Sequence, residues 1–110
     1  MVKFMILFRK PTDQVRFEDN YNNFLALVER MPHITRRQVI SILGSPLGTP
    51  SFYRILEVYF SDYPALNAAL NSPAGQEAGG ELLKFGSGTF DMLFAEVYEE
   101  AGGSTPTTME

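Results

Sequence analysis

At 110 residues, 45% hydrophobic and 20% charged, the chain has the length of one domain and the apolar content for one core, which excludes general disorder and a two-domain enzyme. Zero cysteines exclude a disulfide framework, a thiolate metal site and a cysteine nucleophile, and the single histidine, His33, excludes a multi-histidine metal centre. The net charge of −4 argues against a nucleic-acid partner, and the longest apolar run, Phe4 to Phe8, is far shorter than the roughly 20 residues of a membrane span, so the chain reads as a cytoplasmic protein with neither partner.

Charge is divided unevenly along the chain. Residues 1–54 carry eight Lys or Arg against four Asp or Glu, and residues 55–110 carry one against nine. Lys3, Arg9, Arg36, Arg37 and Arg54 therefore form either a basic pocket for an anion or a set of solvated cross-strand ion pairs.

Val2 to Phe8 is aromatic and β-branched, interrupted only by Lys3, and reads as a central strand apolar on both faces. Arg9, Lys10 and Pro11 end it, and Thr12 or Asp13 is placed to cap a helix. Phe17, Tyr21, Phe24, Leu25, Val28 and Met31 then recur at helical spacing, which predicts an amphipathic helix ended by Pro32. A second strand is expected from about Ile34 to Leu43, followed by a turn-rich loop, Gly44 to Ser51, that makes a long hairpin with a third strand, Phe52 to Phe60. Ser61 or Asp62 caps a second helix with Pro64 in its first turn and Leu66, Ala69 and Leu70 as its buried stripe. Ser72-Pro73 breaks it, a further helical piece runs from Pro73 to about Leu83, and Gly79-Gly80 inside it reads as a break. The last strand is expected from Thr89 to Tyr98. The final ten residues, 101–110, have no apolar pattern and read as a disordered tail after a single domain of residues 1–100.

This order of elements predicts an α+β, ferredoxin-like βαββαβ fold, a four-stranded antiparallel sheet with its helices on one face. Helices cover one side only, yet several strands are apolar on both. The cheapest cover for the second face is another copy of the chain, burying on the order of 1,000 Å² per subunit at roughly 25 cal/mol/Å². A homodimer with its sheets closed into a barrel is the expectation.

In the second half, Tyr53-Arg54-Ile55-Leu56-Glu57-Val58-Tyr59-Phe60, Ala65 to Leu70, Ser72-Pro73-Ala74-Gly75-Gln76 and the stretch from Phe85 to Ala95 stand out. With the Pro11 to Pro32 helix they make residues 2–98 resemble the EthD family, named for ethyl tert-butyl ether degradation, of the dimeric α/β barrel superfamily. The resemblance implies the same ferredoxin-like fold, a homodimer, and either a catabolic accessory, a cofactor-free monooxygenase, cyclase, dehydratase or isomerase, or a reductase-type accessory of a monooxygenase system. One departure bears on chemistry. Where many relatives carry a His-x-Pro element, this chain has Phe24, Leu25 and Ala26, so a role for that histidine does not transfer.

Among the residues themselves, His33 is either a general acid or base or an incidental loop residue. Glu57 is expected on one strand face with Tyr53 and Tyr59. In apolar surroundings its carboxyl would have a raised pKa and could move a proton, with a tyrosine hydroxyl as hydrogen-bond donor, which makes Glu57 and Tyr59 the candidate catalytic pair. The alternative is a structural ion pair with an arginine such as Arg37 or Arg54, or an edge-facing carboxylate. Phe24, Gln38, Tyr53, Met5 and Asp91 are the candidate ligand-binding residues, for a small apolar or aromatic metabolite held between sheet and helices. No flavin, haem, nucleotide or metal signature is present, so no cofactor is expected.

Overall fold

The computed structural model describes residues 1–101. Its elements are β1 (Val2–Arg9), α1 (Gln14–Val28), β2 (Arg36–Ser41), β3 (Phe52–Phe60), α2 (Tyr63–Asn71), α3 (Pro73–Leu82), a 3₁₀ turn (Leu83–Phe85) and β4 (Phe90–Glu96). The strands make one antiparallel sheet in the order β2-β3-β1-β4, the ferredoxin-like arrangement expected from the element order. The tail expected at 101–110 lies, beyond Ala101, outside the described residues.

Local chemistry fixes the boundaries. Asp13 caps α1 by accepting from the Arg16 amide, and Asp62 caps α2 by accepting from the Ala65 amide. α1 ends at Val28, before the expected Met31, because the Arg30 and Met31 amides turn back to the carbonyls of Leu27 and Val28. Met31 is nonetheless buried. β2 is shorter than expected at both ends. His33 adopts a left-handed conformation (φ 69°) that turns the chain before the strand, and Gly44-Ser45-Pro46 starts a tight turn after it. β4 stops at Glu96, where β1 runs out of residues to pair with, and only the Val97 amide reaches on to the Met1 carbonyl. α3 runs unbroken through Gly79 and Gly80, against the expected break.

Alternation along β1 and β3 divides the sheet. Phe4, Ile6 and Phe8, with Leu56, Val58 and Phe60 beside them, point to the helices and are buried. Phe8 sits at the centre of a ring cluster, edge-on to Phe17 (5.5 Å) and Tyr21 (5.6 Å) of α1. The other face, which none of the described helices covers, carries Lys3, Met5 and Leu7 opposite Tyr59, Glu57 and Ile55. β4 adds Leu93 and Asp91 to it, and β2 adds Arg36, Gln38 and Ile40.

The β1–β3 ladder slips once. Phe8 pairs with Arg54 but Arg9 pairs with Phe52, which leaves Tyr53 as the extra residue of a β-bulge. Arg54 reaches α1 by ordinary alternation with Leu56, and the bulge turns Tyr53 to the same side, where its hydroxyl donates to Glu18 Oε2 at 3.1 Å and its ring meets Phe17 edge-on. Tyr53 therefore does not share a face with Glu57 and Tyr59 as simple alternation predicts.

Candidate functional site

A cavity of about 410 Å³ lies between the sheet and the helices. Its floor is Phe4, Ile6, Leu56 and Val58; Phe24, Val28 and Met31 form one wall. The opposite wall is α3, through Gly75, Ala78, Gly79, Gly80 and Leu82, with Met92 and Phe94 of β4 closing the side. The space exists because α3 presents glycine and alanine toward it where larger side chains would fill it. Among the described residues, no charged side chain lines it. The one side-chain amide there, that of Gln76, donates to the Leu70 carbonyl (3.1 Å).

On the opposite face of the sheet lies a polar cluster. Glu57 is 6% exposed and Tyr59 4% exposed. Lys3 Nζ donates to Glu57 Oε2 at 3.1 Å, and the Tyr59 hydroxyl stands 3.0 Å from Glu57 Oε1 and 3.1 Å from Gln38 Oε1, its single proton serving one of them at a time. Arg36 stacks over the Tyr59 ring at 4.4 Å. The register explains the cluster: Gln38 is directly opposite Glu57, and Lys3, opposite Tyr59, is its diagonal neighbour across β1 and β3.

A third group ties β3 to α1. Arg54 binds Glu18 with both arms, at 2.6 Å and 3.0 Å, and its guanidinium lies 4.6 Å from the centre of the Tyr21 ring. The hydrogen bond from Arg54 holds the Glu18 carboxyl below its ordinary pKa. Burial pushes the Tyr21 hydroxyl up to about 12, against the opposing pull of Arg54. That hydroxyl and the Arg54 Nε are buried without a hydrogen-bond partner among the described residues.

The residues picked from the sequence are thus divided between two faces. Glu57, Tyr59, Gln38 and Met5 lie together on the open face, where Asp91 also sits and pairs with Arg9 at 2.8 Å. Phe24 alone lines the cavity, and Tyr53 belongs to the Glu18 group. Glu57 is not in apolar surroundings, and its cation is Lys3; Arg37 pairs instead with Glu29 and Arg54 with Glu18. The five cations considered as one basic pocket are spread over both faces of the sheet: Lys3 and Arg36 go to the Glu57–Tyr59 cluster, while Arg9, Arg37 and Arg54 go to Asp91, Glu29 and Glu18. His33 is exposed in its turn. The cavity residues that sequence reading missed, Met31, Ala78, Met92 and Phe94, look like ordinary core residues. Gly79-Gly80 carried the only available signal.

No family model matches the sequence. The chain is 30% identical over 100 residues, 87% of its length and 94% of the relative's, to an uncharacterized 11.0 kDa protein from the thcB-thcC intergenic region of Rhodococcus erythropolis. It superposes with a TM-score of 0.84, at 29% identity, on the crystal structure of an ethyl tert-butyl ether degradation (EthD) family protein from Bacillus halodurans, covering 89% of this chain and 99% of that one. The chain belongs to the EthD family. This EthD-family chain also shares its fold with a hydroxynitrile lyase from Passiflora edulis (TM-score 0.72, 15% identity, 92% and 96% of the two chains). Among the described residues of the EthD-family chain, no helix is long and apolar enough to cross a membrane.

Proposed function

We propose that this EthD-family protein is a homodimer that binds one small, uncharged apolar or aromatic metabolite per chain in the cavity between sheet and helices, as an accessory to catabolism. The observation that carries the reading is the cavity itself: about 410 Å³, open to entry, walled by aliphatic and aromatic side chains. A dry apolar cavity of roughly 150 Å³ already takes benzene, so this one has room for a molecule of two or three rings. The dimer rests on the uncovered sheet face, where Met5, Leu7, Ile40, Ile55 and Leu93 are neighbours in register and extend as an apolar patch beside the polar cluster.

Titration with the neutral fluorescent probe N-phenyl-1-naphthylamine tests the binding site. The wild type is expected to bind one probe per chain, and Ala78→Leu, which fills the cavity from α3, to weaken binding about tenfold while the protein stays folded. No fluorescence rise with up to about 100 μM protein, or equal affinity in a folded Ala78→Leu variant, overturns the reading.

A second reading, a cofactor-free enzyme that moves protons through Glu57 and Tyr59, has one observation in its favour: a carboxylate and a phenol buried together at 3.0 Å. The sheet stands between that pair and the cavity, so its substrate would have to enter the barrel between two protomers. Glu57→Gln is accordingly expected to leave probe affinity unchanged.

A further inference from the structure

Three glycines lie within α3, and packing accounts for one of them. A Cβ on Gly75 would run into the Ala69 and Leu70 carbonyls, so the approach of α2 to α3 requires glycine there. Gly79 and Gly80 have nothing within 4 Å of where a Cβ would stand, and neither has a positive φ. Glycine is the poorest helix former after proline, and alanine would fit both positions without a clash. Both line the cavity where it opens. Across that opening, Met92 is 53% exposed and Phe94 54% exposed, large apolar side chains left half in water although they line the same cavity.

We infer that Gly79 and Gly80, facing Met92 and Phe94, form the mouth of the cavity, and that the ligand is an elongated, uncharged apolar molecule whose outer end lies over the two glycines and against those side chains. The inference rests on the proposed binding function and adds to it a shape and a selective element. A compact ligand would sit wholly inside and leave Met92 and Phe94 wet; a long one covers them as it binds. The bare backbone of α3 supplies the width, and any side chain at position 79 would occupy the path of the outer end. Among the described residues the walls offer no charged group, so a carboxylate or phosphate on the buried portion would be left unpaired there.

Two probes of different length test this on the full chain. Naphthalene, followed by calorimetry, reports the inner cavity; N-phenyl-1-naphthylamine, longer by an anilino ring, reports inner cavity and mouth together. In Gly79→Leu the longer probe is expected to bind about tenfold more weakly, with naphthalene affinity unchanged. The double variant Gly79→Ala/Gly80→Ala is expected to melt several degrees higher than wild type and to bind the longer probe about threefold more weakly, which keeps the test available if Gly79→Leu does not fold. Unchanged affinity for the longer probe in a folded variant overturns the mouth and leaves the cavity reading standing. Equal weakening of both probes also overturns it, since position 79 would then shape the cavity body. Failure of both probes to bind wild type overturns the binding reading, and this inference with it.

Discussion

Tyr21, 3% exposed, keeps its ring in the core beside the Arg54 guanidinium, and its hydroxyl has no partner among the described residues. A buried hydroxyl without a partner costs about 1–3 kcal/mol of desolvation, so Tyr21→Phe is expected to raise stability by about 0.5–1 kcal/mol, read as a shift of the urea midpoint. The pH dependence has a definite sign. The Tyr21 pKa in the fold, about 12, lies above that of the unfolded chain, so its contribution is complete below pH 10 and is lost as pH rises toward 12. Tyr21→Phe should flatten that alkaline limb. Glu18 behaves in the opposite sense: its folded pKa is depressed, by the Arg54 hydrogen bond first, so its contribution is complete above the usual glutamate pKa and is lost as pH falls through the lower folded value. Urea midpoints measured from pH 5 downward should fall less steeply for Glu18→Gln than for wild type. This group was invisible in the sequence because one extra residue, Tyr53, reverses the parity of β3. Alternation read from Glu57 and Tyr59 puts Tyr53 on their face, and no residue in the strand marks the bulge. Lys3 was more legible, being the only polar residue between Val2 and Phe8, but its partner depended on a register that the sequence does not state.

The elements themselves were readable because each has a chemical start and stop. Asp13, Asp62 and Ser72 cap the three helices, and the apolar positions of α1 recur at the spacing that buries Phe17, Tyr21, Phe24 and Val28. Where the reading erred, tertiary structure overrode local preference. Gly79 and Gly80 read as a break because glycine disfavours helices by about 1 kcal/mol each, yet the packing of Ala78 and Leu82 holds α3 through them. Ser72 joins α2 to α3 with one hydroxyl that donates to the Ala69 carbonyl (2.6 Å) and accepts from the Gly75 amide (3.1 Å). Ser72→Ala removes both bonds and is expected to cost about 1–2 kcal/mol, measured by thermal or urea unfolding.

At the scale of the molecule, order and alternation were enough to predict the fold, but not which face would hold the cavity and which the polar cluster. Strands apolar on both sides give no sign of which side meets the helices. The cavity went to the side of Phe4, Ile6 and Phe8, the polar cluster to the other. The dimer is tested on the second side at Leu93, a β4 residue that also borders the cavity. Leu93 is 51% exposed in the single chain, so Leu93→Asp should change monomer stability by about 0.5 kcal/mol or less while placing a charge in the proposed interface. Light scattering is expected to give about twice the 12.3 kDa chain mass for wild type and the single chain mass for the variant. A wild-type monomer would sink the barrel, and a dimeric Leu93→Asp would move the interface elsewhere.

The double use of the Ser72 hydroxyl also bears on motion. The joint between α2 and α3 has no slack, because the same oxygen closes one helix and opens the next, and Gly75 lets their backbones touch. A hinge there would break both bonds at once, so the two helices should fluctuate as one stiff flap over the sheet. Amide exchange across Leu66 to Leu82 should then follow a single opening rate, and that rate sets the ceiling on how fast anything larger than the resting mouth can enter or leave.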